Sequence, residues 1–166
     1  MPLINKISNF LEKILGNFLA LLLAVMVLDV VWQVISRYIT SHPSSITEEL
    51  ARFLLIWIGL IGAAYAYRKH SHLSLDLLIR ALKPSSQVQL NRVIQVITIA
   101  FASTCMVYGG FKLMMLTLTL HQTSAALGIP IGFVYSCIPL SGLLICWFAI
   151  DNFVSGVVPE DHCSAD

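Results

Sequence analysis

Four stretches of this chain stay apolar long enough for a helix to cross a bilayer, which takes about 20 residues, and short runs of charged and turn-forming residues separate them. The first covers about residues 16–37, is interrupted by Asp29 and ends at Arg37 and Tyr38. An acid at that depth should face another helix, water or the headgroups rather than lipid. The second, about 50–68, reads LARFLLIWIGLIGAAYAYR. Gly59, Gly62, Ala63 and Ala66 form a small-residue stripe in it, a pattern that lets helices approach closely. The third covers about 92–116 within a longer apolar run, so its helix is tilted or projects beyond the hydrocarbon. Gly109 and Gly110 mark close packing or a slight bend within it. The fourth, about 131–151, starts at the turn signal of Gly128 and Pro130; Pro139 inside it should kink the helix unless neighbouring contacts absorb the lost hydrogen bond.

Two shorter segments are amphipathic. Residues 3–15 place Leu3, Ile4, Ile7, Phe10, Leu11 and Ile14 at helical spacing, with Lys6, Asn9, Glu12 and Lys13 round the turn. Two readings stand there: a helix lying in the interface, or an extension of the first span. Residues 74–83 put Leu75, Leu78, Ile79 and Leu82 on one face, with Ser74 as cap and Pro84 as stop. At ten residues this helix is too short to span and should lie along the surface. Between spans one and two, Thr47 is a suitable N-cap for a helix starting at Glu48. The expectation is an all-α integral membrane protein: one four-span domain over residues 1–158, one or two interfacial helices, and an acidic flexible tail at 159–166.

Composition agrees with lipid as the main solvent: 57% of residues are hydrophobic and 11% charged, with mean hydropathy +0.82. The formal net charge of +1 and the lack of a basic tract set nucleic-acid binding aside. The charges do orient the chain. With the N terminus cytoplasmic, seven basic residues (Lys6, Lys13, Arg68, Lys69, Arg80, Lys83, Arg92) lie inside and three (Arg37, Arg52, Lys112) outside, so both termini are expected in the cytoplasm. The N-terminal apolar run continues too far for a cleavable signal and is kept in the mature protein. Cys105, Cys137, Cys146 and Cys163 have no CxxC spacing and read as small apolar side chains, not metal ligands.

The segment SITEELARFLLIWIGLIGAAYAYRKHSHLSLD carries an acidic pair and an arginine (Glu48, Glu49, Arg52), then Trp57, Gly62 and Ala63, then Arg68, His72 and Asp76. A second block, LGIPIGFVYSCIPLSG, carries Leu127, Pro130, Tyr135, Pro139 and Gly142. Together, and in this order, they resemble the DctQ-like small membrane subunit of the tripartite ATP-independent periplasmic (TRAP) transporters, over essentially the whole chain. The resemblance implies a noncatalytic scaffold, without cofactor or metal, in the bacterial inner membrane. It implies a heterodimer with a large, elevator-type, sodium-coupled subunit, and transient docking of a periplasmic substrate-binding protein. The implied substrates are C4-dicarboxylates, 2-oxo acids, sugar acids or sialic acids.

Glu48, Glu49, Arg52, Trp57, Gly62 and Tyr135 are therefore candidates for contact with a partner. For the first three, a capped helix start with a Glu48–Arg52 pair at i,i+4 is the competing account. Arg68, His72 and Asp76 are candidates for fixing the turn after span two by an Arg68 or His72 contact to Asp76. Asp29, Lys112, Pro130 and Pro139 complete the polar and turn candidates; Lys112 can snorkel or pair with Asp29. Two rival functions are a redox anchor and a small independent transporter. The first needs imidazoles converging within the membrane, whereas His70, His72 and His121 fall at span ends. The second needs an internal polar pathway, and Asp29, Gln95 and Lys112 are the few polar groups within the spans.

Overall fold

The computed structural model describes residues 2–40, 45–69 and 84–155, and among them the only regular elements are helices. α1 runs unbroken from Pro2 to Thr40 and α2 from Ser45 to Arg68. The third long helix is composite: α3 (Pro84–Phe101), a π-helical segment (Ala102–Gly109) and α4 (Gly110–Thr119). The fourth is α5 (Ile131–Tyr135) followed by α6 (Cys137–Ser155). Four helical stretches, Lys6–Ile39, Ser45–Arg68, Gln89–Thr119 and Ile131–Phe153, are long and apolar enough to cross a membrane. The chain is an all-α, multi-pass membrane protein.

Several boundaries differ from expectation, each for a local reason. No break separates residues 3–15 from the first span, so of the two readings the extension is the one observed. Gly16 falls inside the continuous helix and faces α2, where a Cβ would meet the Tyr65 ring at an ordinary contact distance of 3.4 Å. α2 starts at Ser45, three residues before Glu48. Pro84 opens α3; proline suits a first helical turn, where its missing N–H has no intrahelical partner to lose. The same logic places Pro139. The helix breaks at Ser136, and Pro139 falls in the first turn of α6, so no kink in mid-helix is needed. The expected surface helix at 74–83 and the tail at 159–166 lie outside the described residues.

The helices pack in a row. α1 packs mainly on α2, α2 on α6, and α6 on α3 and the π-helical segment; among the described residues α1 makes no contact with the third helix. Leu15, Leu19, Ile61, Tyr67, Phe148 and Ala149 form the buried core where α1, α2 and α6 meet, with Trp57 and Tyr65 packed against it. Closer helix approaches lie elsewhere, one of them at Gly132 of α5, where a Cβ would stand 2.5 Å from Leu118 Cγ of α4. A Cβ on Gly110 would stand 2.7 Å from Ile138 Cγ2, and one on Gly142 would stand 2.7 Å from Met106 Cβ. Glycine therefore permits the third helix to press against α6. The stripe on α2 does not serve this purpose: Gly62 has only Leu19 nearby, at 3.9 Å, and Gly59 has nothing within 4 Å.

Candidate functional site

Polar side chains gather at the two ends of α2. Arg68 and Glu49 are nineteen positions apart, which at 1.5 Å per residue is about 28 Å, close to the ~30 Å of bilayer hydrocarbon. The two groups thus bracket an apolar slab.

At the Arg68 end, three helices are joined through side chains. Arg68 donates to Asp151 Oδ2 of α6 at 2.9 Å and to Asn9 Oδ1 of α1 at 3.2 Å, and its Nε lies 3.6 Å from Glu12 of α1. Its guanidinium sits 5.8 Å from the centroid of the Phe148 ring. Lys69 pairs with Glu12, and that hydrogen bond holds the Lys69 ammonium above its ordinary pKa. Asp151 is 1% exposed at its side chain and Arg68 15%, so this is a largely buried network. It stands at the C-terminal end of α2, where a cation meets the negative end of the helix dipole. Further in, Trp147 donates to Ser8 at 3.3 Å and Tyr67 to Gln95, which tie α6 to α1 and α2 to α3.

At the Glu49 end, a carboxylate organises a loop. Glu49 Oε2 accepts the Ser124 hydroxyl, the Ala126 N–H at 3.0 Å and the Leu127 N–H at 3.2 Å. The loop closes on itself through the Ser124 N–H to Ile129 O (2.9 Å) and the Ile131 N–H to Gln122 O (2.9 Å). Pro130, extended at ψ 122°, leads into α5 as its sequence context indicates. The third helix ends in a left-handed cap: His121 has φ 49°, and the N–H groups of His121 and Gln122 return to Leu118 O and Thr117 O. Beside this loop Glu48 and Arg52 form an exposed ion pair on α2.

The remaining candidates are scattered. Trp57 packs inward against the core, Gly62 is half-buried, and Tyr135 is half-buried at the end of α5. Asp29 is buried, with Oδ2 lacking a hydrogen-bond partner, while Lys112 is exposed on a helix that α1 does not touch; no ion pair joins them among the described residues. His72 and Asp76 lie outside the described residues, and so does the expected contact of Arg68 or His72 with Asp76; Arg68 itself meets Asp151, Glu12 and Asn9. Sequence reasoning passed over Asp151, Glu12, Asn9, Ser8 and Ser124. A signal existed for two of them: the alternation of spans puts Glu12 and Asp151 at the same membrane face as Arg68.

The family model of the tripartite ATP-independent periplasmic transporters, DctQ component, matches residues 26–158. This chain belongs to that family. It is 26% identical over 155 residues, 93% of its own length and 94% of the relative's, to a protein of Haemophilus influenzae named as a TRAP transporter small permease protein. It is 26% identical over 160 residues to the ectoine TRAP transporter small permease protein TeaB of Halomonas elongata, covering 92% of this chain and 81% of that one. A third relative, the isethionate TRAP transporter permease protein DctMQ of Oleidesulfovibrio alaskensis, is 25% identical over 136 residues. That match covers 81% of this chain but 21% of the relative, so there a region like this chain is one part of a longer permease polypeptide. The family is a transporter component, and the blocks carrying Glu49, Arg68, Pro130 and Pro139 fall inside the matched region.

Proposed function

We propose that this chain is the noncatalytic small permease subunit of a sodium-coupled, binding-protein-dependent importer of organic acids in the bacterial inner membrane, with both termini cytoplasmic. Its work is mechanical. It supplies a fixed row of helices against which a large, elevator-type subunit moves its substrate-bearing part, and it helps dock the periplasmic binding protein beside Glu48, Glu49 and Arg52. The observation that carries this reading is the division of labour on α2 and its neighbours. Charged groups at both ends brace the row from within, while apolar faces are left outward, with Leu28 of α1 70% exposed. A braced row with unpaired apolar flanks suits a static partner surface in lipid. The relative in which such a region is part of a longer permease supports a stable one-to-one pairing with the large subunit.

The substrate panel runs over C4-dicarboxylates, 2-oxo acids, sugar acids and sialic acids, widened by ectoine and isethionate, for which two relatives are named. The test is sodium-dependent uptake of this labelled panel into proteoliposomes holding this chain and the permease encoded beside it, with the binding protein outside. Each protein is omitted in turn. Uptake requiring all three, with one active panel member, is the expected result. Uptake without this chain, or by this chain alone, overturns the scaffold role and returns an independent transporter to consideration.

A further inference from the structure

Among the described residues five cations lie on the Arg68 side of the row, Lys6 and Lys13 on α1, Arg68 and Lys69 at the end of α2, and Arg92 on α3, and two of them are matched. Arg68 is held by Asp151 and Glu12, and Lys69 by Glu12. Arg92 on α3 is exposed, has no carboxylate within ion-pair distance among the described residues, and stands at the head of an apolar groove. Its own helix offers none, since residues 84–119 contain no acid, and the acid nearest the end of α6, Asp151, is taken by Arg68.

Below Arg92 runs a groove of about 310 Å³ lined by Val93, Val96, Ile97 and Phe153. Its walls are apolar and open outward, with Ile97 62% exposed. From Arg92 to Ile97 the helix rises about 7.5 Å, the distance from headgroup level to the upper acyl region. Arginine on a long apolar stem reaches outward to the headgroup plane while its helix lies deeper.

We propose that Arg92 and this groove form a site for one phospholipid with an anionic headgroup, in the leaflet on the Arg68 side of the protein. The guanidinium takes the phosphodiester, to which it can donate two parallel hydrogen bonds, and one acyl chain lies along Val93, Val96, Ile97 and Phe153. Charge complementarity selects this occupant: a neutral helix of a partner would cover the groove but leave Arg92 uncompensated.

The test is native mass spectrometry of the full chain in detergent, titrated with phosphatidylglycerol and, separately, phosphatidylcholine. One phosphatidylglycerol should bind in preference to phosphatidylcholine. Arg92→Gln should weaken phosphatidylglycerol about fivefold, as one basic group near an anionic surface would, and weaken phosphatidylcholine less, because the choline cation already neutralises its phosphodiester. Arg92→Lys should retain most of the preference, and Ile97→Trp, which fills the groove, should weaken both lipids. Helical circular dichroism of each variant identifies any that misfold, in which case the Lys and Trp variants carry the decision. Equal binding of phosphatidylglycerol by the parent and Arg92→Gln overturns the proposal. So does loss of the bound lipid when the large permease joins the chain, since the groove is then a protein interface.

Discussion

The two ends of α2 solve the same problem by different chemistry. At one, Arg68 meets side chains from α1 and α6 in a network with Asp151 1% exposed. At the other, Glu49 meets the hydroxyl of Ser124 and the N–H groups of Ala126 and Leu127, and no charge answers its own within that contact. The first end joins helix to helix and so governs whether the row forms. The second joins a helix to a loop and so governs the shape of one exposed face. Breaking the first should therefore be a global event and breaking the second a local one.

The largest effect should come from Asp151→Ala. Removing one partner of a buried pair costs about 3–5 kcal/mol because the other charge is stranded. Glu12 remains 3.6 Å from Arg68, which should moderate the loss to about 2–3 kcal/mol in reversible unfolding from detergent micelles. Replacing both partners, Arg68→Met with Asp151→Leu, should restore at least half of it, since an apolar pair carries no desolvation cost. A single variant as stable as the parent would mean that the network is decoration, and the contrast between the two ends would fall.

Glu49→Ala should leave global unfolding less disturbed than Asp151→Ala while accelerating amide hydrogen exchange at Ala126 and Leu127 several-fold, because those two N–H groups lose their acceptor. Glu49→Gln keeps a carbonyl oxygen in place and should fall between the two. Uniform acceleration across all helices would make Glu49 a global brace and erase the distinction. A smaller change of opposite sign is expected at the same end from His121→Gly. A non-glycine residue at φ 49° is held in the left-handed region, and relieving it should stabilise the chain by about 0.5 kcal/mol in the same unfolding measurement.

The spans were legible because bilayer thickness sets a length that composition reveals directly; a chain with four such stretches has few other folds open to it. Pro130 was legible because its fixed φ suits the residue before a helix. The Arg68 network was not, since Asp151 lies 83 positions away and no local pattern announces a pairing between span ends. Glu49 stood out in the sequence, yet its actual donors are mostly backbone N–H groups, which every residue but proline carries and which leave no trace in composition. The small-residue stripe of α2 misled for a related reason. Glycine spacing shows where close approach is possible, but the partner surface decides where it happens, and here that is Gly110 and Gly142 against α6 and the third helix.

The smallest expected effect is also the sharpest probe of the Glu49 end. Glu48 and Arg52 have side chains 52% and 69% exposed, and an i,i+4 pair so placed is worth about 0.3–0.5 kcal/mol, less in salt. Glu48→Gln and Arg52→Gln should thus leave unfolding within about 0.5 kcal/mol of the parent. If this face receives the binding protein, the same two substitutions should lower uptake in the three-component proteoliposome assay, and more so at low ionic strength, where charges steer encounter most strongly. Stability unchanged with uptake reduced would separate a docking surface from a structural one. Uptake equally unchanged would confine the work of this end to Glu49 and its loop, and move the docking site away from the start of α2.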